Sequence, residues 1–465
     1  TNSRTPAGTE DGFNSLKMES TLVTINASKT IKGDAANRVL TDIYGKPNGQ
    51  IQNAGLSMAN ALYRWDTTKV SNQPVLWRKT KNTESGFINN GEVDIYGGSE
   101  NNNLAALNVV YGTVSNIGAG SGNKAEIKLD HGYGIFATDG SIVNASGTTT
   151  NDSTITVTGK YKRPASNAPT GGTNGNRPDD PNPSGSNYGI VGISKGRVNY
   201  NLNDENSIDI TSTNTTIKVD GGVSLKGAAT ATGIFAKNDS ADKDKVTVKY
   251  DDSKLTSAGI ELQNAGSSAS SRGVGIALVN RYANGNGGEI TLTGRAGTLG
   301  SNAATGNNIF TKENGIGIYA ENSDIKLTSN DFTITTKDEG VGIWTTDASN
   351  VGKGSALHSK TFNYNYDGKT DKKGFAMAFT GRTGQTDATN YLDIKFNNKG
   401  TKVTTLNDEN NKSTSQGTYK GIAGIVVNTN DALDTVTNYG DIKEEGSKTH
   451  VRTYGAVVNK GTFKN

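Results

Sequence analysis

A glycine followed by a short apolar run recurs nine times in this chain. The instances are Gly134-Ile-Phe-Ala, Gly189-Ile-Val-Gly-Ile, Gly233-Ile-Phe-Ala, Gly273-Val-Gly-Ile-Ala, Gly315-Ile-Gly-Ile-Tyr, Gly340-Val-Gly-Ile-Trp, Gly374-Phe-Ala-Met-Ala, Gly421-Ile-Ala-Gly-Ile and Gly455-Ala-Val-Val. Their intervals run 55, 44, 40, 42, 25, 34, 47 and 34 residues. Self-similarity at such periods marks a stacked-repeat architecture, in which each repeat buries its apolar side only against its neighbours. Function then lies on the surface and in insertions, not in one central pocket.

The shortest interval shows what one repeat is made of. From Gly315 to Gly340 the sequence offers three short strands separated by polar turns: Gly-Ile-Gly-Ile-Tyr-Ala, Asp-Ile-Lys-Leu-Thr and Asp-Phe-Thr-Ile-Thr-Thr. Apolar residues lie two apart in each: Ile316 and Ile318, Ile325 and Leu327, Phe332 and Ile334. Period two places each pair on one face of a strand. With all three pairs turned inward, the segment closes a triangular coil. The apolar-polar-apolar pattern returns at Ile127-Lys-Leu129, Ile155-Thr-Val157, Ile208-Asp-Ile210, Ile217-Lys-Val219 and Val246-Thr-Val248.

Because the similarity runs coil to coil, equivalent strands are expected to stack parallel and in register. The expected fold is all-β: a right-handed parallel β-helix, three-sided, with extruded loops. A dozen to eighteen coils at about 4.8 Å each would give a rod of roughly 60–90 Å. Intervals of 40–55 residues fit either two coils or one coil with a long loop. Glycines alternating with Ile or Val are expected at outward or corner positions. The motif Asn-x-Gly-x-apolar, at Asn89, Asn438 and Asn459, is expected at corners that need a positive φ.

Composition agrees with a thin solenoid. Only 32% of the residues are hydrophobic and 59 are glycine, which disfavours long helices. Simple disorder is disfavoured by the regular recurrence of β-branched runs. The 48 basic and 45 acidic residues nearly balance, so no nucleic-acid footprint is expected. Cysteine is absent, which excludes zinc–thiolate sites, iron–sulfur clusters, disulfides and thiol nucleophiles. No apolar stretch approaches the ~20 residues needed to span a bilayer.

Two regions depart from the repeat. Five of the eight prolines crowd into residues 164–183. The stretch 160–187 therefore reads as a long surface loop, with Tyr161, Lys162, Arg163, Arg177, Asp179 and Asp180 as candidate contact residues. Residues 1–85 read as an N-terminal cap or binding tip, and 86–465 as the β-helix proper. Within the first region Met58, Ala61, Leu62 and Trp65 have helical spacing. Its exposed-patch candidates are Tyr63, Arg64, Trp65, Trp77 and Arg78.

Little suggests catalysis. His131, His358 and His450 are far apart, and no ligand or triad spacing surrounds them. The acidic pairs Asp179-Asp180, Asp251-Asp252 and Glu444-Glu445 read as turn acids, since neighbours in a strand face opposite ways. No catalytic residue, metal or cofactor is expected. The rival reading is a β-helical polysaccharide-degrading enzyme of the tailspike or lyase type.

The repeats Gly-Ile-Gly-Ile-Tyr-Ala-Glu-Asn-Ser (315–323), Gly-Val-Gly-Ile-Trp (340–344) and Tyr-Gly-Ala-Val-Val-Asn-Lys-Gly-Thr-Phe (454–463) resemble those of the very large autotransporter adhesins of fusobacteria. The resemblance covers roughly residues 86–465 and rests on repeat style. It implies type V secretion and anchoring in the outer membrane through a C-terminal β-barrel that this chain lacks. It further implies display at the bacterial surface and binding of host cell-surface protein receptors, host glycans and other bacteria. No family binding residue maps onto this sequence. The expectation is a non-enzymatic adhesin passenger, a fragment whose chain continues past Asn465.

Overall fold

The computed structural model describes residues 22–27, 29–34, 41–42, 53–59, 61–65, 74–78, 82–96, 104–120, 122–159, 187–194, 206–221, 230–239, 244–263, 272–280, 288–297, 304–312, 315–337, 339–367, 373–381, 387–398, 421–429, 434–445 and 453–465. Among them the chain is a three-sided parallel β-solenoid. One coil contributes Thr113–Ile117 to sheet I, Ala125–Leu129 to sheet II and Tyr133–Thr138 to sheet III. The next contributes Ile142–Ser146, Ser153–Val157 and Asn187–Ser194 to the same sheets. Sheet II has eleven strands and sheet III twelve. Sheet I has eight, and single bridges from Ile325 to Val351 and from Val351 to Asn390 carry it into a further three-stranded stack. Twelve strands at about 4.8 Å span roughly 53 Å, shorter than the sequence implied. Each interval between glycine motifs is one coil, since successive motif strands are direct neighbours in sheet III.

The ladders extend into the N-terminal region. Leu22–Ile25, Thr30–Asp34 and Asn53–Ala59 pair with the following coil in sheets I, II and III. Residues with helical spacing therefore lie on strands, Asn53–Ala59 and Ala61–Trp65. Ladder pairing satisfies the backbone here, and it overrides a spacing seen over only two turns' worth of residues.

The core is a stack of aliphatic columns. In sheet II the register places Val93, Ile127, Ile155, Ile217, Ile260, Ile309 and Ile334 over one another, all inaccessible to solvent. Burying each such side chain contributes about 1.5–3 kcal/mol. Facing them in sheet III is a column of small residues. The flanking register stacks Gly55, Ala106, Gly134, Gly189, Gly233, Gly275, Gly317, Gly342, Ala376, Gly424 and Gly455. A Cβ on Gly275 would lie 2.5 Å from the Gly317 carbonyl oxygen and 2.7 Å from Cγ2 of Ile309. On Gly233 it would meet the Gly275 oxygen at 2.5 Å and Cγ2 of Ile260 at 2.7 Å.

This corrects the placement of the alternating glycines. Gly315 and Gly340 do sit at corners, against Thr311 and Thr336. The glycine of the inward column (Gly134, Gly189, Gly233, Gly275, Gly317) does not: its missing side chain leaves room for a sheet II isoleucine. It also breaks period two, because Ile318 joins the main core while Ile316 belongs to a separate cluster with Tyr319 and Trp344. Only two of the three apolar pairs in that coil are turned inward together.

The corners follow local chemistry. Where sheet III turns into sheet I, left-handed residues recur at Tyr111, Asp139, Asn322 and Asp347, with φ of 51°, 46°, 46° and 62°. Asn and Asp tolerate that conformation best. At the corner from sheet I to II, asparagines stack: Asn89 Nδ2 donates to Asn116 Oδ1 at 2.8 Å, and Asn390 Nδ2 to Asn438 Oδ1 at 2.7 Å. Of the Asn-x-Gly corners only Gly461 has a positive φ, 110°. Gly91 and Gly440 are required by crowding instead: a Cβ there would lie 2.4 Å from the Lys29 oxygen and 2.0 Å from the Leu392 oxygen.

Candidate functional site

The outer surface of sheet III is a candidate contact surface because of what its register assembles. Two outward columns run beside the glycine column. One stacks Ala105, Tyr133, Tyr188, Thr232, Val274, Ile316, Val341, Phe375, Ala423 and Tyr454. The other stacks Asn108, Phe136, Val191, Phe235, Ala277, Tyr319, Trp344, Ala378, Val426 and Val457. From Ala105 and Asn108 onward neither contains a charged residue; the register of the second runs on to Ser57 and Asp42 at the N-terminal end.

The rings pack along the rod. Tyr133 stacks on Tyr188 with centroids 5.2 Å apart, and meets Phe136 edge-on at 5.2 Å. Tyr188 meets Phe235 edge-on at 6.0 Å, and Tyr319 meets Trp344 edge-on at 6.4 Å. These are favoured aromatic geometries, worth about 0.5–1.5 kcal/mol per pair. The rings shade smaller neighbours, so Val191, Val341 and Ala378 are buried while Tyr133, Tyr188, Phe235, Tyr319, Trp344 and Phe375 stay half-buried. Burial pushes the Tyr133 hydroxyl up to about 12, so it remains a neutral donor. Trp344 Nε1 donates to Thr380 Oγ1 at 2.9 Å, and the Tyr319 hydroxyl donates to Glu321 Oε2 at 3.1 Å. Each anchors a ring by its polar end and leaves the rest of it for contact.

The candidates from sequence fall into two groups. Ala61–Trp65, which carries Tyr63, Arg64 and Trp65, pairs antiparallel with Pro74–Arg78, which carries Trp77 and Arg78. Leu62 lies opposite Trp77, Tyr63 opposite Leu76 and Ala61 opposite Arg78. The fold thus gathers those five residues on one hairpin that leaves the ladder between Asn53–Ala59 and Gly86–Asn89. Tyr161, Lys162, Arg163, Arg177, Asp179 and Asp180 lie outside the described residues, as does His450.

The acids separate as neighbours should. Asp251 caps a turn through the Ser253 N–H at 2.9 Å. Asp252 is wholly buried and accepts from Asn308 Nδ2 at 2.8 Å, the Arg295 N–H at 3.2 Å and the Tyr250 hydroxyl at 3.2 Å. Burial pushes its carboxyl up to about 6. Glu445 pairs with Lys443 at 3.1 Å, which lowers its pKa. His131 is buried, its Nδ1 3.3 Å from Asn187 Oδ1.

Comparison with known proteins finds no matching family model, no matching curated protein and no matching solved structure. The functional reading therefore rests on the residues themselves. The aromatic columns have no signature in the linear sequence, because their members are 25 to 55 residues apart or more. Aligning the chain on the glycines and alanines of the inward column would have exposed them, with the rings one position before or two after.

Proposed function

We propose that this chain is a non-enzymatic adhesin passenger, similar in kind to the autotransporter adhesins its repeats resemble, displayed at the bacterial surface. The β-solenoid acts as a stiff pole, and binding is carried by contacts along it and at its extrusions. The supporting observation is the outer face of sheet III: two registered columns, without a charge from Ala105 and Asn108 onward, studded with half-buried rings. A soluble surface normally breaks up apolar area with charge, and an extended exception marks an interaction site. Aromatic side chains supply large rigid contact area at little entropic cost, whether the partner is a host cell-surface protein or the C–H face of a host sugar. The hairpin bearing Tyr63, Arg64, Trp65, Trp77 and Arg78 is the second contact region, as a cap or tip, and the proline-rich stretch 160–187 the third.

The experiment is binding of the purified chain to host epithelial and immune cells, with and without enzymatic removal of surface glycans. Tyr319→Ala with Trp344→Ala should weaken adhesion about tenfold or more while leaving the β-sheet circular dichroism unchanged. Undiminished adhesion by a folded double variant would remove sheet III from the proposal. Deletion of residues 160–187 and alanine substitution of Trp65 and Trp77 assess the other two regions in the same assay.

A further inference from the structure

Histidine and carboxylate residues that are distant in sequence meet on another part of the surface. Thr361–Tyr366, Asp393–Asn398 and Ile442–Glu444 are consecutive neighbours in sheet II. His358 lies in the bend before the first, Asp393 opens the second and Asp441 directly precedes the third. Three successive coils thus each place one ligand-type group at the same corner. His358 Nδ1 is 2.9 Å from Asp393 Oδ1 and 4.0 Å from Asp441 Oδ2. One ligand atom from each residue lies within 4.8 Å of the other two.

Two further features bear on what could sit there. The corner is a repeated unit, Asn390-Tyr-Leu-Asp-Ile-Lys and Asn438-Tyr-Gly-Asp-Ile-Lys. Its tyrosines, Tyr391 and Tyr439, stack at 5.5 Å and hold the two corner loops in register. The nearby cations are committed elsewhere. Lys353 pairs with Asp324 at 2.6 Å, Lys395 with Glu445 at 3.6 Å, and Lys360 donates to the Ser329 carbonyl at 2.9 Å. Among the described residues no lysine or arginine pairs with Asp393 or Asp441, so two carboxylates converge on one imidazole without a compensating side-chain cation.

We propose that His358, Asp393 and Asp441 form a surface site for a divalent cation of the zinc class, with coordination positions open to solvent. One nitrogen and two carboxylate oxygens suit a borderline cation better than calcium, which takes six to eight oxygens. Binding requires Nδ1 of His358 to turn its lone pair to the metal in place of the Asp393 hydrogen bond. Asp393 is fixed by the Asp441 N–H, which donates to its Oδ1 at 2.8 Å. Asp441 is exposed and its carboxylate has room to close on the ion. The ion would join three coils where sheet I thins to the single bridging residue Val351. It would thus stiffen the segment with the least ladder pairing.

The test is titration of the full chain with Zn²⁺ alone, followed by calorimetry and thermal melting. The expected result is one site per chain, binding Zn²⁺ more tightly than Ca²⁺, with a metal-dependent rise in melting temperature. His358→Ala and Asp393→Asn should each weaken binding about tenfold or more and abolish the rise. Because His358 is exposed, His358→Ala should melt like the unaltered chain in the absence of metal. Absence of stoichiometric Zn²⁺ binding, tighter Ca²⁺ binding, or undiminished Zn²⁺ binding by the folded chain carrying both His358→Ala and Asp393→Asn would overturn the proposal.

Discussion

Sheet III and sheet II are built from the same coils, yet both of their surfaces differ. Inside, a column of branched isoleucines in sheet II faces a glycine column in sheet III, beside which sheet III turns its own Ile135, Ile190, Ile234, Ile276 and Ile318 inward. Outside, sheet II carries charge: Lys128 pairs with Glu92 at 2.8 Å and Glu126 at 2.6 Å, and Lys218 with Glu261 at 3.7 Å. Sheet III carries rings there instead. The inner difference is steric: isoleucine in one sheet fits only where the other has no side chain. The outer difference is not needed for folding, since sheet II packs equally well beneath a charged exterior. A feature that the fold does not require is where function is best sought.

The largest effect should come from the inner surface of sheet III. Gly275→Val adds branched volume where even a Cβ would be 2.5 Å from the Gly317 oxygen. It should cost about 3 kcal/mol or more, seen as a lower midpoint or a split transition in denaturant unfolding. Gly275→Ala should be milder, because Ala106 and Ala376 occupy the same column. Equal tolerance of valine there and at Ile260 would erase the contrast between the two inner surfaces.

The next effect is at the corner joining sheets I and II. The folded-state pKa of Asp252, about 6, lies above the ordinary 3.8. Below about pH 4 the residue is protonated whether folded or unfolded and imposes no penalty. Its cost appears as pH rises from 4 to 6, as the unfolded state ionises first, and persists above that. Asp252→Asn keeps an acceptor for Asn308 and the Arg295 N–H. It should raise stability at pH 7 by on the order of 2–3 kcal/mol and leave it nearly unchanged at pH 4. Thermal unfolding at both pH values measures this. An equal shift at both would mean that the carboxyl is not strained by burial.

Smaller effects distinguish the outer surfaces. Tyr319→Ala removes one half-buried ring and its edge contact with Trp344, and should cost about 1 kcal/mol. Lys128→Ala breaks a partly exposed pair on sheet II and should cost 1 kcal/mol at most, less in high salt. Urea denaturation resolves the two. A larger cost at Lys128 would make the charged exterior the structural one.

Much of this fold was legible in the residues. Period-two pairs such as Ile127 and Leu129, or Ile155 and Val157, pointed to strands with one buried face, and the repeats to parallel stacking. What failed was local geometry that depends on a neighbouring coil. Nothing in Gly315-Ile-Gly-Ile-Tyr says that Gly317 lies under Ile334, so the break in alternation at Ile316 could not be read. The same limit hid the ring columns and the meeting of His358, Asp393 and Asp441. Both are products of register, which depends on how many residues each connection absorbs. Pairing places Tyr63, Arg64, Trp65, Trp77 and Arg78 on one hairpin.

The most direct measurement sets one outer surface against the other in a single adhesion assay. Tyr319→Lys with Trp344→Lys introduces charge on sheet III, and Lys128→Glu with Lys218→Glu inverts it on sheet II. With both variants folded by circular dichroism, the sheet III variant should lose host-cell binding and the sheet II variant should keep it. Retained binding by the first, or equal loss in both, would contradict a contact surface on sheet III.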